Sequence, residues 1–212
     1  MIEIQNLYKY FDDFCALEDI NITINDGECL VIEGESGSGK TTLLSIIGAL
    51  MKPTSGKVTV DGQNIVSLPD FHISAYRNRV VGFVSQSFYL FENMSVEENI
   101  SIPLTQSNIS QKDSNNAVVK AMKDTNISHK AKTKVVKLSR GERQRVVMAR
   151  ALVNNAKIII CDEPTASLDK QNSLILIDLL IKLQKQNKTI IIATHDPLIF
   201  QSSLGLKRYK LC

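Results

Sequence analysis

The chain has 212 residues, a length that suits one domain or one domain carrying a lobe and that needs no metal or disulfide staples. Hydrophobic residues make up 43% and charged residues 22%, and 25 Lys plus Arg stand against 22 Asp plus Glu for a net +3, so disorder is not indicated and nothing in the charge balance argues for a nucleic-acid partner. The most apolar stretches, 158–160, 175–183 and 190–193, are broken by charge well before the ~20 residues a membrane helix needs, so any work at a membrane requires a separate spanning protein.

Apolar residues alternate over 2–7 and 20–24, which predicts two strands with one buried face each, and Asp12-Asp13 between them reads as a turn. Asp26-Gly27 predicts a tight hairpin turn into residues 29–32, whose unbroken Cys-Leu-Val-Ile run suits a strand buried on both faces. A Gly/Ser-rich stretch follows. From Lys40 the spacing of Leu43, Leu44, Ile46, Ile47 and Leu50 predicts a helix ending near Pro53. Strands at 57–60 and 80–84 come next, with an Asp61-Gly62 turn after the first.

From about Ser87 the chain turns polar, with helical segments at 96–100 and 117–123. Residues 87–152 are expected to form a mostly helical lobe inserted into an α/β core, with a surface loop at 106–116. Lys130, Lys132, Lys134 and Lys137 read as a solvated face rather than a phosphate patch, because no aromatic residues interleave with them. The core then resumes with a strand at 158–161, a helix at 173–185, a strand at 189–193 and a short tail.

Gly34-Glu35-Ser36-Gly37-Ser38-Gly39-Lys40-Thr41-Thr42 contains the phosphate-binding pattern GxxxxGK[ST], between a buried strand and a helix as that chemistry requires. Glycines let the backbone turn its N–H groups onto a phosphate at the positive end of the helix. Lys40 can then reach the β- and γ-phosphates, and the Thr41 hydroxyl can ligate Mg²⁺. An apolar strand also delivers Asp162-Glu163 to its carboxyl end, where open α/β sheets place their ligands. Alone, that pair reads as a solvated turn. With the phosphate loop upstream, Asp162 is expected to hold Mg²⁺ through water and Glu163 to act as general base on the attacking water.

The four cysteines, Cys15, Cys29, Cys161 and Cys212, have no metal-ligand spacing, and the opening Met-Ile-Glu carries no secretory signal, so reduced thiols and a cytosolic location are expected. Cys212 has no prenylation box behind it. The histidines His72 and His129 read as ordinary surface or core residues.

Leu138-Ser-Arg-Gly-Glu142-Arg-Gln resembles the LSGGQ or LSGGE signature of the ATP-binding cassette (ABC) ATPases. Other elements of that family's pattern occur in order: Gln86 after the 80–84 strand, Ser167-Leu-Asp169 after the acidic pair, and His195 after the 189–193 strand. The resemblance spans essentially the whole chain. It implies an α/β fold: a P-loop NTPase (RecA-like) core with an N-terminal antiparallel β subdomain (together 1–86 and 153–212) and an inserted α-helical subdomain (87–152). It also implies ATP and Mg²⁺ as cofactors, and a homodimer that sandwiches two ATP molecules, with Ser139 and the Gly141 amide of one copy facing the γ-phosphate bound by the other. Gln86 resembles the Q-loop residue that senses Mg²⁺ and the attacking water, His195 the switch histidine, and Asp169 the residue that crosses the dimer seam.

Alignment to the family's N-terminal aromatic loop makes Phe11 the platform for adenine, with Tyr10 the runner-up and a core Phe the bland alternative. Arg140 departs from the family's first glycine, either tuning affinity for the facing phosphates or pointing outward. Cys161 replaces a small apolar residue and should pack as one.

A lone cassette of this kind implies coupling to separate integral-membrane permease subunits, hence a peripheral position on the inner face of the cell membrane. The aromatics of Gln86-Ser-Phe-Tyr-Leu-Phe91 resemble a groove for the permease's coupling segment, or else belong to the core of the lobe. The motifs around Lys40 and Gly141, with Ala149-Arg-Ala-Leu152, are most similar to the subfamily of lipoprotein-release and macrolide-exporter-type ATPases and the cell-division cassette. Non-transport cassettes, of mechanotransmission or cell-division type, stand as the alternative. A DNA-repair cassette would carry a coiled-coil insertion and a translation factor two cassettes, and neither is present in the sequence.

Overall fold

The computed structural model describes residues 1–107, 109–166 and 168–211. Ser167 and Cys212, both singled out above, lie outside the described residues.

Two sheets divide the strands according to their apolar pattern. The half-buried strands β1 (Ile2–Phe11), β2 (Phe14–Ile24), β4 (Ser55–Val60) and β5 (Gln63–Asn64) form an antiparallel sheet in the order β2-β1-β4-β5. The strands β3 (Cys29–Glu33), β6 (Val81–Val84), β7 (Ile158–Asp162), β8 (Thr189–Ala193) and β9 (Leu206–Lys210) form a parallel sheet in the order β6-β7-β8-β3-β9. In β7 and β8 every residue is buried, as strands covered on both faces should be.

The residues at 26–27 do turn, but not into a hairpin: β2 and β3 belong to different sheets, and β3 pairs in parallel with β8 and β9. The turn therefore carries the chain from one layer to the next. The hairpin is instead at Asp61-Gly62, where both residues have positive φ, as a two-residue turn demands.

Helix α1 (Lys40–Ile47) is one turn shorter than its apolar spacing predicts, because Ala49 takes a left-handed φ of 53° and Leu50 turns outward, 57% exposed. Helix α2 (Asp70–Arg79) was not foreseen: it buries only Ile73 and Tyr76, too narrow a stripe to read as amphipathic. The lobe contains α3 (Val96–Ser101), α4 (Gln111–Asp124) and α5 (Arg140–Leu152). The expected loop at 106–116 is corrected by α4, which begins at Gln111 under a Ser110 cap accepting from Asp113 N at 3.1 Å. Helices α6 (Lys170–Lys185) and α7 (Pro197–Phe200) and the edge strand β9 complete the chain, so the predicted short tail is a helix and a strand.

The apolar residues gather in three clusters. Leu30, Ile32, Ile160 and Ile191, from one face of the parallel sheet, pack with α1 and the antiparallel sheet. Val31, Ile159, Cys161 and Ile192, from the other face, pack with Leu176 and Leu180 of α6 and with Val147, Met148 and Ala151 of α5. The third cluster joins α3, α4 and the opposite face of α5, through Val96, Ile100, Val118, Met122, Val146 and Ala149. Helix α5 thus has one side in the core and the other in the lobe. Burial pushes the Cys29 thiol up to about 12 and raises that of Cys161 as well, so both pack as small apolar groups.

Candidate nucleotide site

At the carboxyl end of β3 the backbone leaves the sheet and circles from Gly34 to Gly39 before α1 begins. Gly37 and Gly39 take φ of 88° and 90°, and a β-carbon on Gly39 would stand 2.4 Å from Ala16 O, so the loop is threaded against β2 where no side chain fits. Glu35, Ser36 and Gly37 form its exposed tip, and a β-carbon at Gly37 would meet nothing within 4 Å. Lys40 reaches back across the loop, its Nζ donating to the carbonyls of Gly34 at 2.8 Å and Glu35 at 2.6 Å. Ser38 Oγ is buried without a hydrogen-bond partner inside the same loop. A loop with a lysine over it, an unpartnered hydroxyl within it and a helix N-terminus behind it fits an anionic phosphate chain.

The parallel register then brings the acidic pair alongside. Asp162, the last residue of β7, lies opposite Ala193 and is only 4% exposed. Burial raises its pKa, with Glu163 adding to the rise, while the Thr41 hydroxyl and Lys40 oppose it. Thr41 Oγ1 donates to Asp162 Oδ2 at 2.9 Å, joining the start of α1 to the end of β7. A hydroxyl and a carboxylate in contact beside a phosphate loop suit Mg²⁺, which takes few protein oxygens and completes its shell with phosphate and water. Thr42 follows in the first turn of α1, half-buried.

Glu163 is held on every side. Its φ is 46°, and its N–H donates to Ala193 O at 2.9 Å. Its Oε2 accepts from the Thr194 hydroxyl at 3.2 Å, and its Oε1 lies 2.8 Å from His195 Nδ1. The left-handed backbone of a bulky residue is uncommon and carries strain, and here it aims the carboxylate at the segment after β8. His195 itself is 80% exposed in its side chain.

The other expected residues are placed apart from this group. Gln86, past the end of β6, is exposed and shares an open cleft of about 470 Å³ with Ser87, Phe88, Leu138, Arg140 and Arg143. Ser139 caps α5: its hydroxyl accepts from Glu142 N at 3.3 Å, while its N–H donates to Glu142 Oε2 at 2.8 Å. Burial works against ionisation of Glu142, but the Ser139 amide and Lys130 outweigh it and hold its pKa low. Among the described residues no hydrogen bond joins Gln86, Ser139 or Gly141 to the phosphate loop. Asp169 caps α6, accepting from Asn172 N at 2.8 Å.

At the far end of the β1–β2 hairpin, Tyr10 and Phe11 are 41% and 43% exposed, and Lys9 Nζ stands 4.9 Å from the Phe11 ring centroid. Phe14, which pairs with Phe11 across the turn and is 63% exposed, was missed from sequence. Its signal was present: an apolar ring just after a two-Asp turn has no core to enter. The aromatic run after Gln86 divides, with Phe88 and Leu90 packed against the core and Tyr89 and Phe91 exposed. Arg150 fixes that segment by donating to the carbonyls of Phe88 and Tyr89 at 2.8 and 2.7 Å.

The family model described as "ABC transporter" matches residues 17–166. The lipoprotein-releasing system ATP-binding protein LolD of Buchnera aphidicola is 39% identical over 206 residues, covering 95% of this chain and 90% of that protein. The macrolide export ATP-binding/permease protein MacB of Campylobacter jejuni is 36% identical over 199 residues, covering 94% of this chain but 31% of that longer protein. The dimeric structure of MJ0796, a bacterial ABC transporter cassette, superposes with a TM-score of 0.90 at 34% identity, covering 99% of this chain and 94% of that one. With a phosphate loop, an acidic pair and a capped signature helix arranged on this fold, the chain belongs to the ATP-binding cassettes of the ABC transporter family.

Proposed function

We propose that this chain is the ATP-hydrolysing subunit of a transport system, that two copies close around two ATP molecules, and that closure and reopening drive separate membrane-spanning permease subunits. The observation that carries the reading is the meeting of Thr41 with Asp162 and of Glu163 with His195 beside one phosphate loop.

In this reading the amides of residues 34–42 and Lys40 bind the phosphates, and Thr41 and Asp162 would hold Mg²⁺, whose charge would offset that of the phosphates. Glu163 takes a proton from water as its oxygen attacks the γ-phosphorus, and the bond to the β–γ bridging oxygen breaks to release ADP and phosphate. The Nδ1–H of His195 donates to that carboxylate and steadies it, and a doubly protonated ring would also offer its Nε2–H to the γ-phosphate. Gln86, at the junction of core (1–86 and 153–212) and lobe (87–152), reports the state of the site to the lobe. Phe11 stacks on adenine. Ser139 and Gly141 complete the site of the other copy.

Tyr89 and Phe91, exposed beside Gln86, support a grip for a permease segment, and on this reading the protein works at the inner face of a membrane. Among the described residues no helix is long and apolar enough to cross a membrane.

Glu163→Gln tests the assignment. Turnover should fall by roughly 10²–10⁴-fold, the worth of a positioned general base, while ATP still binds and traps a dimer on size-exclusion chromatography. Wild-type hydrolysis by this variant would remove Glu163 from the role.

A further inference from the structure

Helices α5 and α6 do not pack closely along their whole length. A cleft of about 330 Å³ lies between them, lined by residues including Gln144, Met148, Leu168 and Ile175. Asn172 and Arg145 bridge it. The amide oxygen of Asn172 accepts from Arg145 at 2.9 Å, and its amide nitrogen donates to Asp169 Oδ2 at 2.7 Å. Since one partner only donates and the other only accepts, the orientation of this amide is determined. On its remaining side Asn172 meets Gly141, where a β-carbon would stand 3.2 Å from both Cγ and Nδ2. Arg145 is anchored in turn on the carbonyl of Asn126 at 3.4 Å.

One side chain therefore bonds Arg145 of α5 and the carboxylate that caps α6, and it lies close beside the glycine in the first turn of α5. The glycine and the carboxylate belong to the two segments that, in the sandwich reading above, one copy presents to the other. We propose that Asn172 is a positioning residue, tying the start of α5, through Arg145 and its packing beside Gly141, to Asp169 so that both turns meet the partner copy in a fixed mutual geometry. The inference rests on the sandwich reading. Without the link, α5, which has one face in the lobe cluster, can shift against α6, and each turn must be ordered separately when the copies meet. The copy's own phosphate loop, on α1, is untouched by the link.

The test places Asn172→Ala in the Glu163→Gln background and measures two quantities: fluorescent ATP-analogue binding at protein concentrations where the chain is monomeric, and the protein concentration at which ATP produces dimer. Monomer affinity should match that of Glu163→Gln, whereas the dimerisation midpoint should rise about tenfold, the worth of one hydrogen bond to a charged group. Asn172→Asp, equal in size and still an acceptor for Arg145, sets a carboxylate against Asp169 and should show the same split. Unchanged dimerisation in both variants would overturn the inference, as would an equal loss of monomer affinity, which would mark a general structural role. Should Glu163→Gln alone stay monomeric at saturating ATP, the sandwich reading falls and the inference with it.

Discussion

Gly39 carries two constraints at once, a φ of 90° and a carbonyl 2.4 Å from where a β-carbon would be. Gly39→Ala should therefore weaken nucleotide binding through the shape of the loop, since the alanine must displace either β2 or the loop itself. Lys40 acts by charge instead. Lys40→Ala removes an ammonium that would bond a phosphate and should lower ATP affinity about 10- to 100-fold by calorimetry, the worth of charged hydrogen bonds; unchanged affinity would sink the assignment of the phosphate loop. Both residues were legible in the sequence because the loop's chemistry is contiguous. Asn172 and Phe14 were not, since what matters about them is a neighbour distant in the chain or one left exposed across a turn. Arg140, left open by the sequence, is exposed in the first turn of α5, lining the cleft it shares with Gln86.

The elements that sequence predicted well are those whose burial is uniform. β8 has the bounds its apolar run suggests, and β3 and β7 extend theirs by a single residue. Elements that mix solvent and core were harder to see. β9 reads Leu-Lys-Arg-Tyr-Lys, the charged pattern of a protected edge, and its identity as a strand comes from pairing with β3 along residues 29–33. The first six residues of α4 are polar, and what starts the helix there is the Ser110 cap rather than an apolar stripe. Ser110→Ala should cost about 1 kcal/mol, read as faster amide hydrogen exchange over the first turns of α4. The Lys-rich 130–137 stretch is a solvated face with local ion pairs, Lys130 to Glu142 at 3.3 Å and Lys132 to Glu97.

Across the whole molecule, one ionic cluster ties together turns from both sheets. The Met1 ammonium lies 2.6 Å from Asp26 and 2.8 Å from Asp61, and Lys157 Nζ reaches the same two carboxylates at 3.2 and 2.8 Å. The bonds from Met1 and Lys157 lower the pKa of both aspartates against a smaller opposing effect of burial. Depressed carboxylates stabilise the fold above their ordinary pKa and lose that contribution as pH falls through the depressed value. The melting temperature should accordingly drop in acid, below the normal carboxylate range, and Lys157→Ala should flatten that acid limb by lowering the neutral-pH plateau toward it, by the small amount that exposed ion pairs are worth. A separate consequence follows from β9. Leu211 N donates to Glu33 O at 2.7 Å, and a β-carbon on Gly34 would stand 2.9 Å from Leu211 O, so the strand leading to the C-terminal residues runs beside the first residues of the phosphate loop. A load applied beyond residue 211 is thus transmitted in shear to the nucleotide cradle. For surface-immobilised or single-molecule ATPase measurements, that makes the C-terminal side the wrong handle.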